Sequence, residues 1–149
     1  GWLEANRPEP FGPGVRHGDY HIATVMFSFD GPELAAIVDG ELATVGDPLL
    51  DLGALMASWP DAEGNSPLGV GRAGLSGLPS AEELRVHYGE RSTRNIDAID
   101  WYTVLACYRL GIILEGTHAR ACGGRAPRDV GDLLHATTVG LFNRALTLL

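Results

Sequence analysis

Hydrophobic residues change their spacing near residue 47 of this chain. Upstream of that point they form two short runs, VMFSF at 25–29 and LAAIVD at 34–39. The sequence DGPE between the runs contains Gly31 and Pro32, which are typical of a turn. Short apolar runs on either side of a turn predict a β-hairpin.

Downstream, the apolar residues recur with helical spacing. In the segment 47–59, Asp47 is a candidate N-cap, Pro48 suits the first helical position, and leucines recur on one face. Three more helices are predicted, over 80–91, 97–122 and 127–149. The first of them begins with the capping-box pattern Ser-x-x-Glu, and the second is apolar on most sides, as a central helix is. The predicted fold class is therefore α+β, mainly α with a small β-hairpin.

The composition excludes several classes of function. The chain has 149 residues and a net charge of −8, with eleven arginines and no lysine. An acidic chain without a basic cluster is not expected to bind nucleic acid or an anionic membrane surface. No apolar run approaches the roughly 20 residues of a transmembrane helix. We therefore expect neither nucleic acid nor a membrane among the partners.

The cysteines and the beginning of the chain bear on the cellular location of the protein and on whether it is part of a longer one. Cys107 and Cys122 fit no metal or disulfide spacing, and we interpret both as buried thiols of a reducing compartment. No leader sequence is visible, so a cytoplasmic location is expected. The opening GWLEANRPEPFGPG is typical of the end of a helix broken by prolines, which favours the later part of a longer protein.

Two aspartates stand next to the predicted strands. Asp19 lies in a His-Gly-Asp turn, and its spacing alone favours a structural Asx-type turn over a catalytic role. Asp39 closes the second strand, beside Gly40 and Glu41. An antiparallel hairpin brings its ends to one edge, so we expect the two aspartates to lie close together. Converging carboxylates suit either a base with a magnesium ligand or a pair that shares a proton.

Other patterns indicate less chemistry. The sequence GVGRAG at 69–74 matches G-x-G-x-x-G, but it follows a helix and a loop, so we interpret it as a flexible loop. His17, Asp19 and His21 alternate as metal ligands do, but no further histidine or cysteine has a useful spacing. The remaining histidines are interpreted as surface or helix-packing residues: His87, His118 and His135.

The two aspartate motifs carry a family resemblance. HGDYHIATVMF, followed by AAIVDGELATVGDPLLDLGAL, resembles the C-terminal lobe of the aminoglycoside phosphotransferase-like kinases. The core of the similarity covers residues 16–55, and GLPSAEELRVHYGERS and IDWYTVLACYRLGIILEGTHARA extend it over most of the chain. Within the family, the chain is similar to the branch of kinase-like domains joined to acyl-CoA dehydrogenases.

The resemblance implies a role for each residue of these motifs. Asp19 would accept the proton of a substrate hydroxyl while that hydroxyl attacks the γ-phosphate of ATP, and Asp39 would hold Mg²⁺ against the phosphates. Such a transfer depends mostly on positioning and on charge neutralisation. The other motif residues would be structural members of the loops or helix caps: His17, Gly18, Glu41, Asp47 and Asp51.

The chain departs from the family pattern in three ways. Thr24 stands where the family has a metal-binding Asn, so it is a weaker candidate ligand for Mg²⁺. Gly40 stands where the family commonly has Trp, which loosens the backbone beside Asp39. The N-terminal lobe of the family supplies a Lys that pairs with the phosphates, and this sequence has no Lys. We therefore expect the chain to be the C-terminal lobe alone.

The leading interpretation is the C-terminal lobe of a small-molecule kinase for a hydroxyl acceptor, inactive in isolation. The alternative is a degenerate, pseudokinase-like lobe that binds a partner without catalysis, whereas a plain helical domain would make both motifs coincidental. The lobe would comprise three parts. Residues 1–14 would be the end of a preceding helix and a linker, 15–46 the catalytic loop with a metal-binding hairpin, and 47–149 a helical subdomain. Apolar hairpin residues facing the missing lobe would favour self-association or a partner.

Overall fold

The computed structural model describes residues 1–9, 12–69 and 77–149. The regular structure is mostly helical, and two small antiparallel sheets precede the long helices. The predicted mainly α architecture with a small antiparallel β element is thereby confirmed. The glycine-rich stretch 69–74 lies outside the described residues apart from its first glycine.

The helices lie close to the predicted segments. A single turn, α1 (Trp2–Ala5), precedes the sheets, and four longer helices follow: α2 (Leu49–Ser58), α3 (Ala81–Arg91), α4 (Ile99–Cys122) and α5 (Arg128–Leu146). Helix α3 begins with the predicted capping box, because Oγ of Ser80 accepts a hydrogen bond from the Glu83 amide at 3.1 Å while a Glu83 carboxylate oxygen accepts one from the Ser80 amide at 2.7 Å. Within the described residues, no helix combines the length and apolar character needed to cross a membrane.

The β-structure differs from the prediction of a single hairpin. Strands β2 (Val25–Phe27) and β3 (Leu34–Ile37) form the predicted pair. A second antiparallel pair joins β1 (Gly14–Arg16) to β4 (Thr44–Gly46). Strands of three residues are too short to show alternation. Their pairing also spans a long stretch of sequence, so local spacing could not predict it.

The core lies between α2, α4 and α5. One group of buried side chains contains Leu49, Leu52, Ile99 and Tyr102, and the other contains Ala57, Cys107 and Leu141. Gly53 allows α2 to approach α4 closely, since a Cβ at this position would lie 2.6 Å from the carbonyl carbon of Tyr102. From α5, Arg144 donates hydrogen bonds to the carbonyl oxygens of Met56 and Ala57, at 3.3 and 2.9 Å. These contacts fix α2, whose first turn reaches the candidate site.

The two cysteines lie in different environments. Cys107 is fully buried in α4, and burial raises the pKa of its thiol to about 11. Cys122, at the end of the same helix, is exposed. The prediction of two buried thiols is therefore wrong for Cys122. Its neighbour Ala121 is buried, and one residue along a helix turns the side chain by about 100°.

Candidate active site

His17 connects the His-Gly-Asp loop to the end of the β2–β3 hairpin. Its Nε2 lies 2.8 Å from the carbonyl oxygen of Val38, and its Nδ1 accepts a hydrogen bond from the Asp19 amide at 3.3 Å. Because Nδ1 accepts, Nε2 carries the proton and donates to Val38. One neutral imidazole therefore orients the backbone of Asp19 and holds it next to the segment that leads into Asp39.

Asp51 holds the same loop from the other side. This residue lies in the first turn of α2, and its carboxylate accepts hydrogen bonds from the backbone amides of His17 and Gly18, the second at 2.9 Å. Hydrogen bonds to an ionised acceptor are stronger than neutral ones. Burial raises the pKa of the Tyr20 phenol, and the negative charge of Asp51 raises it further. Asp51 thus fixes the loop to the helical core, in the kind of structural role that the resemblance implied.

Gly18 occupies a position that only glycine fits. Its φ is +95°, in the left-handed region, and a Cβ would lie 2.6 Å from the carbonyl oxygen of Leu42. The His-Gly-Asp loop is therefore pressed against the short 3₁₀ helix Gly40–Leu42 that follows Asp39. This contact is a second link between the two aspartate segments.

Asp39 has an unusual backbone conformation. Its φ and ψ are 67° and 42°. Among the described residues, Asp39 is the only one other than glycine that has a positive φ. Aspartate tolerates the left-handed region better than most residues, and such conformations concentrate at functional sites. The side chain is exposed and does not cap the 3₁₀ helix that it precedes. Its carboxylate is therefore available to a ligand.

Three exposed carboxylates, those of Asp19, Asp39 and Glu41, lie on the two segments that His17 joins, and we call this region the carboxylate edge. A hydrogen bond with Asp39 is the main cause that raises the pKa of Glu41, and the negative charges of Asp39 and Asp19 raise it further. The expectation that Asp19 and Asp39 lie close together stays a prediction, which their shared effect on Glu41 favours. Asp19 itself is exposed, and its Oδ2 lies 3.9 Å from Nε2 of His21. The site thus concentrates oxygen ligands and negative charge.

Thr24 is buried and ends the short 3₁₀ turn directly before β2. Its hydroxyl donates to the carbonyl oxygen of His21 at 2.8 Å and accepts from the His21 amide at 3.4 Å. The role of Thr24 as a ligand of Mg²⁺ stays a prediction. Coordination of the ion by its hydroxyl would compete with these two hydrogen bonds to His21.

Asp47 lies away from the carboxylate edge and joins α2 to α4. Helix α2 begins at Leu49 with Pro48 in the N-cap position, one residue later than predicted. The buried carboxylate of Asp47 still accepts a hydrogen bond from the Leu49 amide at 3.0 Å and another from the Tyr102 hydroxyl. Burial, followed by this hydrogen bond, raises the pKa of Tyr102. These contacts agree with the structural role that the sequence implied.

A cleft opens beside Asp19, between its loop, α2 and α4. Arg16 from β1 and Arg109 from α4 both line it. Asp51 lines it as well, and the rest of the wall is formed by small and apolar residues that include Leu50, Ala54, Ala106, Leu110 and Ile113. The Nε atom of Arg16 is buried and has no hydrogen-bond partner among the described residues. Sequence reasoning missed both arginines, although a charge at Arg109 within the run YRLGIIL is a recognisable signal.

A separate cluster joins α4 to α5. The two carboxylate oxygens of Glu115 lie 2.8 Å from Nδ1 of His118 and 2.9 Å from Nδ1 of His135. These hydrogen bonds lower the pKa of Glu115. One oxygen and two imidazole nitrogens within 4.8 Å of one another could hold a divalent metal ion. The sequence interpretation of these histidines as helix-packing residues did not reveal that they share one carboxylate.

Comparison with known proteins defines the class. Residues 1–86 match the phosphotransferase enzyme family, so the chain belongs to that family. The crystal structure of a presumed aminoglycoside phosphotransferase from Ralstonia eutropha JMP134 is similar with a TM-score of 0.69 and 28% identity. The similarity covers 91% of this chain and 43% of the other. The resemblance found in the motifs is thereby confirmed.

Two relatives place the chain within the family. Acyl-CoA dehydrogenase family member 10 of Mus musculus is 28% identical over 132 residues, which are 84% of this chain and 12% of that protein. Acyl-CoA dehydrogenase family member 11 of Homo sapiens is 29% identical over 126 residues, which are 80% of this chain and 16% of that protein. The chain therefore spans less than a fifth of the length of these relatives.

Proposed function

We propose that this chain is the C-terminal lobe of a small-molecule kinase, which transfers the γ-phosphate of ATP to a hydroxyl group. The observation that carries this function is the 2.8 Å contact between His17 and Val38, because it fastens the loop of Asp19 to the segment of Asp39. Coverage of less than half of the Ralstonia protein supports the assignment to one lobe. Residues 1–14 would be the linker, 15–46 the catalytic loop and hairpin, and 47–149 the helical subdomain.

Asp19 is the base in this function. Its carboxylate is exposed and lies beside the cleft, where an acceptor hydroxyl can reach it. As the hydroxyl oxygen bonds to the γ-phosphorus, its proton passes to Asp19 and the bond from that phosphorus to the bridging oxygen of ADP breaks. The transfer depends on position and charge rather than on covalent catalysis by the protein. The hydrogen bonds of His17 and Asp51 supply the position, since they fix the backbone on which Asp19 stands.

The carboxylate edge suits Mg²⁺, which prefers oxygen ligands. Asp39 raises the pKa of Glu41, and the two carboxylates repel each other when both are ionised, so a divalent cation would relieve this repulsion. Asp39 would be the principal protein ligand, and the bound ion would neutralise charge on the phosphates of ATP. Glu41 is assigned a structural role, as are Gly18 and Asp47.

A second lobe would cover the β2–β3 hairpin. Phe27 and Leu34 are each 54% exposed, and Phe29 is fully exposed. Exposed apolar patches of this kind are uncommon on monomers. We assign this face to contact with the other lobe of the kinase, or with a second copy of the chain when that lobe is absent. The isolated chain should therefore not turn over ATP, and its cytoplasmic location stays a prediction.

Paramagnetic broadening by Mn²⁺ with ATP tests the metal assignment on the chain as it stands. NMR signals of the amides near Asp19 and Glu41 should broaden first, and Asp39→Ala should abolish the effect. Asp30→Ala removes an exposed carboxylate from the hairpin turn and should leave the broadening intact, as should Asp19→Asn. Broadening that persists in Asp39→Ala would remove Asp39 from the metal site.

A pseudokinase that binds without catalysis is the second candidate. The observation in its favour is the buried Thr24 hydroxyl, which is engaged with His21. If Thr24 has replaced a working ligand, Thr24→Asn in a version with both lobes should strengthen the Mg²⁺-dependent part of ATP binding. Isothermal titration with and without Mg²⁺ measures that part. An unchanged value would mean that the second ligand comes from elsewhere or that the site no longer binds metal.

A further inference from the structure

We infer that Glu115, His118 and His135 form a site for a divalent ion of the zinc class, which joins helix α4 to helix α5. This site is separate from the proposed magnesium site, because its ligands stand on two helices and none of them lines the cleft beside Asp19. The inference goes beyond the proposed function and does not depend on it. It is carried by the convergence of one carboxylate and two imidazoles where the two helices pack.

The donor atoms lie almost at the spacing that one ion requires. An oxygen of Glu115 and one ring nitrogen of each histidine lie within 4.8 Å of one another. Bonds from Zn²⁺ to nitrogen and oxygen ligands are about 2.0–2.2 Å long, so two ligands of one ion lie at most about 4.4 Å apart. Small rotations of the side chains would bring all three atoms onto one ion.

The hydrogen bonds of the cluster identify the binding nitrogens. Nδ1 of His118 lies 2.8 Å from one oxygen of Glu115, and Nδ1 of His135 lies 2.9 Å from the other. An ionised carboxylate only accepts hydrogen bonds, so each Nδ1 carries a proton in the metal-free chain. An ion that binds beside the carboxylate takes the place of these two protons.

His118 has acceptors for the tautomer that a bound metal requires. When the ion takes Nδ1 of a neutral imidazole, the proton moves to Nε2 and the charge of the ring does not change. Nε2 of His118 lies 3.4 Å from Sγ of Cys122 and 3.7 Å from a carboxylate oxygen of Asp132. Histidines that bind metals usually donate their other N–H to such an acceptor. The surroundings of His118 therefore suit the bound form, and the charge of Asp132 favours a cation nearby.

Helix packing holds the ligands together before any ion binds. Gly131 lets α5 approach α4 here, because a Cβ at this position would overlap the Cβ of Ala121 and lie 3.4 Å from Cα of His118. Farther along α5, the Thr138 hydroxyl donates a hydrogen bond to the carbonyl oxygen of Gly111 at 3.2 Å. Sites built on packed helices are positioned more precisely than sites on loops.

The ligand set selects a zinc-class ion over Mg²⁺. Imidazole nitrogen suits Zn²⁺, Ni²⁺ and Cu²⁺, whereas Mg²⁺ is held mainly by oxygen. Two histidines and one glutamate leave the fourth position of a tetrahedral ion to water. Glu115 and His135 are partly exposed, so the ion and that water can reach them. Because the ligands are assembled only in the folded chain, the ion stabilises that state by mass action.

Titration of the metal-free chain with Zn²⁺ tests the inference, in an excess of Mg²⁺ that occupies the carboxylate edge. We expect one ion per chain, and ¹⁵N NMR of His118 and His135 should show that the proton leaves Nδ1 and appears on Nε2. His135→Ala and Glu115→Gln should each lower the Zn²⁺ affinity by about a hundredfold or more, since even partners that only orient a ligand contribute roughly 10- to 100-fold. Both side chains are partly exposed, so both variants are expected to fold.

Two matched controls should keep the affinity of the native chain within about tenfold. His87→Ala removes a histidine of α3, and Cys122→Ser removes the thiol beside His118 but none of the three ligands. Zn²⁺ should also raise the Tm of the native chain and of both controls, and it should leave the Tm of His135→Ala unchanged.

Each other outcome contradicts the inference. Absence of Zn²⁺ binding, displacement of the ion by Mg²⁺, or an affinity that His135→Ala or Glu115→Gln leaves unchanged would overturn it. An equal loss in His87→Ala would attribute the binding to surface histidines in general and overturn it as well. Loss of binding in Cys122→Ser, or Zn²⁺ on Nε2 of His118, would contradict the assigned ligands. These measurements need no phosphate transfer, so a failure of the kinase activity leaves the result intact.

Discussion

The imidazole of His17 and the carbonyl oxygen of Val38 are joined by a contact of 2.8 Å. The β2–β3 hairpin lies between these two residues in the sequence. His17 stands two residues before Asp19, and Val38 stands directly before Asp39. Because Nδ1 of the same ring accepts the Asp19 amide, the ring fixes both the distance between the segments and the orientation of Asp19.

Removal of this ring should loosen the site. We predict that His17→Ala lowers the free energy of unfolding by about 1–2 kcal/mol, from the loss of two hydrogen bonds, and weakens the Mn²⁺ broadening around Asp39. His87→Ala, a change on the exposed side of α3, should affect neither. Chemical denaturation and NMR provide the two measurements. Retention of the broadening in His17→Ala would show that the contact between His17 and Val38 does not organise the carboxylate edge.

Gly18 should resist any side chain. We predict that Gly18→Ala lowers the free energy of unfolding by about 2 kcal/mol or more, because of positive φ and overlap with Leu42. Gly40→Ala is the matched control: it lies in the adjoining 3₁₀ helix, and a Cβ there would meet nothing within 4 Å. Thermal unfolding of both variants checks this difference. Similar melting temperatures would contradict the close packing of the two loops.

Glu41 should report on a bound cation. Its pKa in the folded chain is raised above the ordinary value of 4.5, chiefly by the hydrogen bond with Asp39. The sign follows from linkage: the stabilising contribution is present below the unfolded pKa and is lost as pH rises through the folded pKa. At a pH above the folded-state pKa of Glu41, the ionised carboxylate is destabilising. Glu41→Gln should therefore have a higher free energy of unfolding than the native chain at such a pH. Mg²⁺ should lower the pKa of Glu41 in a ¹³C NMR titration, and an unchanged value would argue against a cation beside it.

The exposed hairpin should drive association. Because Phe27, Phe29 and Leu34 leave apolar surface uncovered, we predict that the isolated chain forms oligomers at micromolar concentration and that Phe29→Ser shifts it toward the monomer. Leu133→Ser, which changes a 66% exposed residue of α5, is the control and should not do so. Light scattering measures both. A native chain that stays monomeric would refute the association.

The sequence predicted the elements with strong local signals. The Ser80–Glu83 capping box and the hairpin turn at Gly31 and Pro32 depend on residues a few positions apart, so their patterns were sufficient. The β1–β4 pair could not be predicted, because Gly14–Arg16 and Thr44–Gly46 are short and meet only through the tertiary fold.

The candidate site divides in the same way. The motifs predicted Asp19 and Asp39 as site residues, and the predicted hairpin gave a reason to expect them near each other. The cleft was not predictable, because Arg16 and Arg109 come from a strand and a helix that are brought together by packing. The shared carboxylate of His118 and His135 depends on the contact between α4 and α5, which neither helix reveals alone.

The most direct test of the central claim is the rate of ATP turnover against Mg·ATP concentration in a version of the protein that carries both lobes. We predict that Asp19→Asn lowers kcat by about 10²- to 10⁴-fold, the range for loss of a general base, and leaves KM for Mg·ATP nearly unchanged. Asp39→Ala should instead raise this KM, because it removes a ligand of the metal. Small and equal effects of the two substitutions would contradict the assignment of a base and a metal ligand to this edge.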